Sequence, residues 1–159
     1  MYKRLMLWAA LVTSSLACPN GASSAEEYGS SAEAKAMLQR AIAAVKADKG
    51  GAIAKFNHND PAFRDRDLFV FCFNRNNGKF TAHEAMVDWD VRLLQDIWGS
   101  PFGEQMFAVK NGETIEVAYL SPVPGSPSLV PRRAYVTTID DQACGVSAYQ
   151  LNGQTARTR

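Results

Sequence analysis

Six consecutive residues, Leu68-Phe69-Val70-Phe71-Cys72-Phe73, put an apolar side chain on both sides of any strand they form. With a period of two, Phe69, Phe71 and Phe73 point one way and Leu68, Val70 and Cys72 the other. The pattern predicts a strand over Asp67 to Phe73. A strand with no polar face belongs in the middle of its sheet, so the fold must be built around this segment.

The turn signal Asn76-Asn77-Gly78 follows, because Asn and Gly tolerate positive φ. Lys79 to His83 then reads as the return strand of a hairpin. Upstream, Ser30 with Glu33 three residues on forms a capping-box signature. Ala34, Leu38, Ala41, Ile42 and Val45 recur at helical spacing, with Lys35, Gln39, Arg40 and Lys46 on the opposite face. This predicts a long amphipathic helix ending near Lys49 and broken by Gly50-Gly51. A shorter helical turn carries Ile53 and Phe56.

Residues 84–112 are less periodic. They predict a helical turn around Asp90–Ile97, a break at Gly99-Ser100-Pro101 and a second helix over 102–109. Glu113–Leu120 alternates as a strand. Ser121–Pro131 holds four of the seven prolines and reads as a long loop. Arg133–Ile139 and Ala143–Tyr149 form a final hairpin around Asp140-Asp141-Gln142. The plan is α+β: an antiparallel sheet of about five strands, a long N-terminal helix and short inserted helices.

The first 25 residues read as an address. Lys3 and Arg4 precede a short apolar run, Leu5 to Ala17, and no acid occurs before Glu26. Small residues at Ser23 and Ala25 suit cleavage after Ala25, as in a secretory signal peptide. A membrane anchor would take roughly 20 apolar residues. Lipidation at Cys18 is a second alternative, although Ser15 stands where a branched apolar residue is preferred and Pro19 follows directly. Cleavage takes 159 residues to 134, and loss of Lys3 and Arg4 leaves 15 basic against 16 acidic residues. A near-neutral chain of this kind is a poor match for broad nucleic-acid binding. Residues 26–29 form a polar lead, 30–151 one domain and 152–159 a frayed tail. Stable membrane insertion is not expected after cleavage, and the expected location is periplasmic or secreted.

Several of these segments together resemble the single Cache domain family, of the calcium channel and chemotaxis receptor type. They are Asp67-Leu68-Phe69-Val70-Phe71, Asn77-Gly78, Thr81-Ala82-His83, Asp90-Val91-Arg92, Gly99-Ser100-Pro101-Phe102-Gly103 and Tyr119-Leu120-Ser121-Pro122. Pro131-Arg132-Arg133-Ala134-Tyr135-Val136 and Cys144-Gly145-Val146-Ser147-Ala148-Tyr149 complete the series. The resemblance covers roughly residues 30–150. It implies a PAS-like extracytoplasmic sensor sheet with its first and last strands adjacent, a small organic acid or amino acid as ligand, and a separate membrane signalling partner.

On this resemblance the ligand-binding candidates are Arg92, His83, Tyr119, Tyr135, Arg132, Arg133, Trp98 and Met106. The Arg92 fork matches a carboxylate, but it can equally pair with Asp88 or Asp96 on a helix surface. His83 ends the second strand and either donates to a ligand or satisfies a backbone carbonyl. Tyr119 and Tyr135 offer an apolar wall with a polar tip, or simply fill the core. Only one of Arg132 and Arg133 can face a pocket. Trp89, Trp98, Phe102 and Met106 line the site from the inserted helices or belong to the core. The resemblance makes the strands of Cys72 and Cys144 neighbours, so these two form a disulfide or remain buried thiols.

His83, Glu84, Asp88 and Asp90 lack metal-ligand spacing. No nucleophile elbow, phosphate loop or dinucleotide fingerprint occurs. No catalytic residue, cofactor or metal is therefore expected. The alternative function is a pocket-less accessory module of the same fold.

Overall fold

The computed structural model describes residues 27–151. The expected leader, its Cys18 alternative and the tail 152–159 lie outside the described residues. The strand Leu68–Asn74 (β2) is interior to an antiparallel sheet. Along one edge it pairs with Arg64–Asp65 (β1) and Phe80–Ala82 (β3). Along the other it pairs with the last strand, Gln142–Tyr149 (β6). The order β1-β2-β6-β5-β4 is completed by Leu129–Ile139 (β5) and Thr114–Pro122 (β4). The sheet thus has six strands rather than about five. Every residue of β6 is buried, so the small residues of the last strand, more than the rings of β2, mark the sheet's middle.

Helix α1 (Ser31–Ala47) lies across one face. The Ser30 hydroxyl accepts from the Glu33 amide, and the Glu33 carboxylate accepts from the Ser30 amide at 2.7 Å, closing the capping box. Its buried stripe is Ala34, Met37, Leu38, Ala41 and Val45. These pack on Leu68, Val70, Cys72, Cys144, Val146 and Ala148. Cys72 and Cys144 sit opposite each other in register and form a disulfide.

The helix breaks earlier than Gly50-Gly51 suggests. Asp48 turns extended (φ −156°), and its carboxylate accepts from the Gly51 amide at 3.1 Å. Both glycines therefore enter the first turn of α2 (Lys49–Asn57). The first-turn amides have no intrahelical partners in any case, and the Asp48 cap satisfies one of them.

Two further expectations are corrected. The helical turn over Asp90–Ile97 shrinks to a 3-10 turn, Val91–Leu93. Asp96 ends it, because its side chain accepts from the Trp98 and Ser100 amides and folds the chain back on itself. The proline-rich loop is shorter than 121–131, since β4 reaches Pro122 and β5 begins at Leu129. Pro131 is tolerated inside β5 because β6 has ended opposite it. Its carbonyl still accepts from Gln150 at 2.7 Å, and its missing N–H breaks no ladder there.

The second face of the sheet carries Phe71, Phe73, Ala134, Val136 and Ala143. It is covered by β3, by the irregular segment 83–101 and by the short helix α3 (Phe102–Phe107). Gly103 brings α3 against the 3-10 turn, because a Cβ there would overlap the Val91 carbonyl. No helix among the described residues is long and apolar enough to cross a membrane.

Candidate ligand cavity

Alternation along β5 decides which arginine turns toward the second face. Ala134 and Val136 point into that layer, and Arg132 shares their parity. Tyr135 and Ile139 point toward α1, and Arg133 shares theirs. Between the second face and its cover lies a cavity of about 230 Å³. Its apolar walls are mostly aromatic: Phe69, Phe71, Phe80, Phe102 and Tyr119, with Met86, Leu94 and Met106. Polar atoms enter from His83, Glu84, Ser121, Arg132 and Ser147. Gly145 helps shape the floor, because a Cβ on that residue of β6 would run into the Phe71 ring.

Arg132 is the main charge in the cavity. Its guanidinium lies over the Tyr149 ring at 4.5 Å from the centroid. One terminal nitrogen donates to the Asp67 carbonyl at 3.3 Å and the Ser147 carbonyl at 3.5 Å. The Asp67 carboxylate stands 3.8 Å away, an ion pair longer than a hydrogen bond. Both side chains are almost covered, at 13% and 11% exposure. The Arg132 Nε and Asp67 Oδ2 atoms are buried without a hydrogen-bond partner.

His83 packs edge-on against Phe69 and Phe80, with centroids 5.2 and 4.9 Å away. Its Nδ1 accepts from the Ala85 amide at 3.1 Å, which leaves any proton of the neutral ring on Nε2. Burial pulls its pKa down to about 4, with the Arg132 charge adding to the effect and Glu84 opposing it. His83 is therefore neutral at pH 7. The Tyr119 ring stacks on Phe102, centroids 4.2 Å apart and planes 8° off parallel. Burial raises its hydroxyl pKa, while Arg132 and a hydrogen bond with Ser147 pull the other way.

Four of the eight candidates thus meet at one cavity: His83, Tyr119, Arg132 and Met106. The other four lie elsewhere. Arg92 is exposed and forks onto Asp90, Nε to Oδ1 at 2.9 Å, rather than onto Asp88 or Asp96. It also donates to the Asn77 carbonyl at 3.0 Å and covers the Phe107 ring. Its position clasps the hairpin turn to the 3-10 segment. Tyr135 is buried on the helix face under the Lys35 ammonium. Arg133 pairs with Glu116 at 2.9 Å on that same face. Trp98 is 77% exposed, and Leu93 and Ile97 of the same segment are also exposed.

Sequence reasoning did not single out Asp67, Glu84, Met86, Leu94, Ser121 or Ser147 as site residues. Ser147 was within reach of period counting, since a polar residue recurring inward on a central strand needs a partner. Asp67 carried no such signal, because an acid just before a strand ordinarily faces water.

No protein-family model matches this sequence, and no curated protein matches it significantly. Solved structures do match. A methyl-accepting chemotaxis protein from Vibrio parahaemolyticus RIMD 2210633 is 16% identical at a TM-score of 0.55, over 74% of this chain and 86% of that one. The periplasmic sensor domain of a chemotaxis protein is 18% identical at 0.55, over 76% and 90%. A Cache chemosensory domain described for its carboxylic acid recognition is 16% identical at 0.54, over 76% and 88%.

Proposed function

Starting from a PAS-like, Cache-type α+β fold, we propose that this protein is a periplasmic ligand-binding sensor domain that reversibly holds a small carboxylate-bearing metabolite. The observation that carries the reading is Arg132: a nearly covered guanidinium at the wall of a cavity lined by aromatic rings. A carboxylate would gain a charge-assisted hydrogen bond in a low-dielectric setting, where such bonds are strongest. The rings of Phe69, Phe80 and Phe102 would receive the ligand's apolar part, and Tyr119 and the neutral His83 its remaining polar atoms. An open cavity favours this reading over a pocket-less accessory module.

Residues 30–151 form the binding domain in this reading, behind a leader cleaved after Ala25. Binding would be transmitted to a separate membrane signalling partner through the segment 83–107 that roofs the cavity. No chemical step is involved.

A thermal-shift screen with short mono- and dicarboxylates and amino acids, followed by titration calorimetry, tests the reading. At least one should raise the melting temperature. Arg132→Lys keeps the charge beside Asp67 but loses Nε and the planar fork, and should weaken binding about tenfold or more. Arg92→Ala should bind like the parent, because Arg92 lies off the cavity. Absence of any shift across the panel would overturn the proposal.

A further inference from the structure

Five large apolar side chains are exposed among the described residues, and all five fall within residues 87–98: Val87, Trp89, Leu93, Ile97 and Trp98. Exposed apolar residues scattered singly need no explanation, whereas their concentration marks an interaction site. Folding does not account for these five. The segment is anchored inward by others: Val91 in the core, and Met86 and Leu94 at the wall of the aromatic cavity. Val87 and Leu93 stand next to two of those anchors in the chain, yet are 43% and 76% exposed.

Both tryptophans are presented on held backbone. The Trp89 amide donates to the Met86 carbonyl at 3.1 Å, and its carbonyl accepts from the Phe80 amide at 2.9 Å. The Trp98 amide donates to Asp96 Oδ1 at 3.0 Å. Side chains on an ordered backbone give up less freedom on binding, and tryptophans are frequent hot spots of protein interfaces. Charge then selects the occupant. Residues 84–98 carry four acids and one base. Glu84 is paired with Arg64, and Asp90 with Arg92, the one cation of the stretch. Asp88 and Asp96, each next to an exposed apolar residue, have no cationic partner among the described residues. Segments that dip into a bilayer join their apolar side chains to Lys and Arg, so lipid is a poor fit. A symmetric contact between two copies would set the same acids against each other.

Resting on the reading of this chain as a sensor that acts through a separate partner, we propose that residues 87–98 are the docking surface for that partner, a protein with an apolar groove rimmed by Lys or Arg. The exposed tryptophans and aliphatic side chains enter the groove, and Asp88 and Asp96 meet its rim. Met86 and Leu94, on the cavity side of the same segment, connect ligand occupancy to the docked partner.

A photocrosslinking amino acid at position 93 or 97, in the chain expressed in its host, reads the surface directly, with the exposed Lys46 of α1 as control position. Adducts should form from the first two and not from the control. The captured protein is then purified and titrated with the secreted chain by calorimetry. Leu93→Ser combined with Trp98→Ser should weaken that binding tenfold or more, and raised salt should weaken it as well. Asp88→Asn, which suits the positive φ of 69° and removes the charge, should weaken it several-fold. These side chains face water, so the variants should melt like the parent and keep its response to carboxylates. Absence of adducts from positions 93 and 97, equal adducts from the control, or a captured protein that binds the variants like the parent overturns the proposal. So does self-association in sedimentation, or flotation with phosphatidylcholine–phosphatidylglycerol vesicles, that the double variant abolishes. An intact carboxylate response beside any of these leaves the cavity reading standing. A chain that docks as proposed yet answers to no carboxylate overturns the cavity reading alone.

Discussion

The two faces of the sheet are made by the same strands, one residue out of phase, yet they differ in kind. The helix face presents short or branched side chains, among them Val70, Cys72, Cys144, Val146 and Ala148, and a regular capped helix closes on it. The opposite face presents rings from Phe69, Phe71 and Phe73, and its cover is an irregular segment with one short helix. Side chains of modest size under a regular helix form a buried layer, with a hollow of about 280 Å³ beside Lys35, Leu38 and Tyr135. Rings under an irregular cover stand apart, and a cavity of about 230 Å³ remains between them. Protein interiors are otherwise packed nearly as densely as organic crystals. One face of this sheet is thus closed by a regular helix, and the other holds a cavity with aromatic walls under an irregular cover.

The largest effect that could break this comparison concerns the disulfide. Cys72 and Cys144 are 72 residues apart, a loop whose closure stabilises by about 4 kcal/mol in the chain-entropy model. Replacing both with Ala should lower stability by that order in denaturant melts, while ligand affinity below the melting range stays unchanged. A variant of parental stability but impaired binding would reverse the assignment of the two faces.

Leu38→Ala on the helix face should cost roughly 3 kcal/mol, as deletion of a fully buried leucine side chain does. Phe102→Ala, on a half-buried ring beside the existing cavity, should cost about half as much despite the larger side chain. Equal costs in paired urea melts would show that the cavity face is as tightly braced as the other.

A smaller effect comes from pH. His83 has a folded pKa of about 4, below its ordinary 6.5, so the unfolded chain binds more protons between those values. Its contribution is fully present above pH 6.5 and is lost as pH falls toward 4, on the order of 2–3 kcal/mol across the window. His83→Asn, which keeps an acceptor for the Ala85 amide, should flatten the stability profile between pH 6.5 and 4.5. An unchanged slope would mean that His83 is solvated and the cavity wetter than its rings suggest.

The smallest effect belongs to Arg92, a surface pair with Asp90. Arg92→Ala should change stability by less than about 1 kcal/mol, and melting at both low and high salt should show little difference.

Much of this was legible along the chain. The apolar run at 68–73 placed its strand inside a sheet, and the Ser30–Glu33 box with its apolar stripe placed α1. Both signals are local and strong. The segment 84–101 was not legible, because its turns depend on single side chains such as Asp90 and Asp96 bonding to backbone that only the fold brings near. Arg92 illustrates the consequence. A helical reading offered Asp88 or Asp96 as partners, whereas the 3-10 turn delivered Asp90. Trp98 and Tyr135 were misplaced for related reasons: the first lies on that irregular segment, and the second is a residue of β5 whose facing direction spacing left open.

What the sequence determined by itself is the alternation. Of Arg132 and Arg133, one had to face each side, because a strand turns successive residues to opposite faces. Which of them entered the cavity was decided by the tertiary structure, through the register of β5 between β4 and β6 and the helix that had already claimed the other face. The pairing of Arg132 with Asp67 has the same origin. The two are 65 residues apart in the chain. Only the packing of the β1–β2 turn against β5 and β6 brings an acid and a base together under cover.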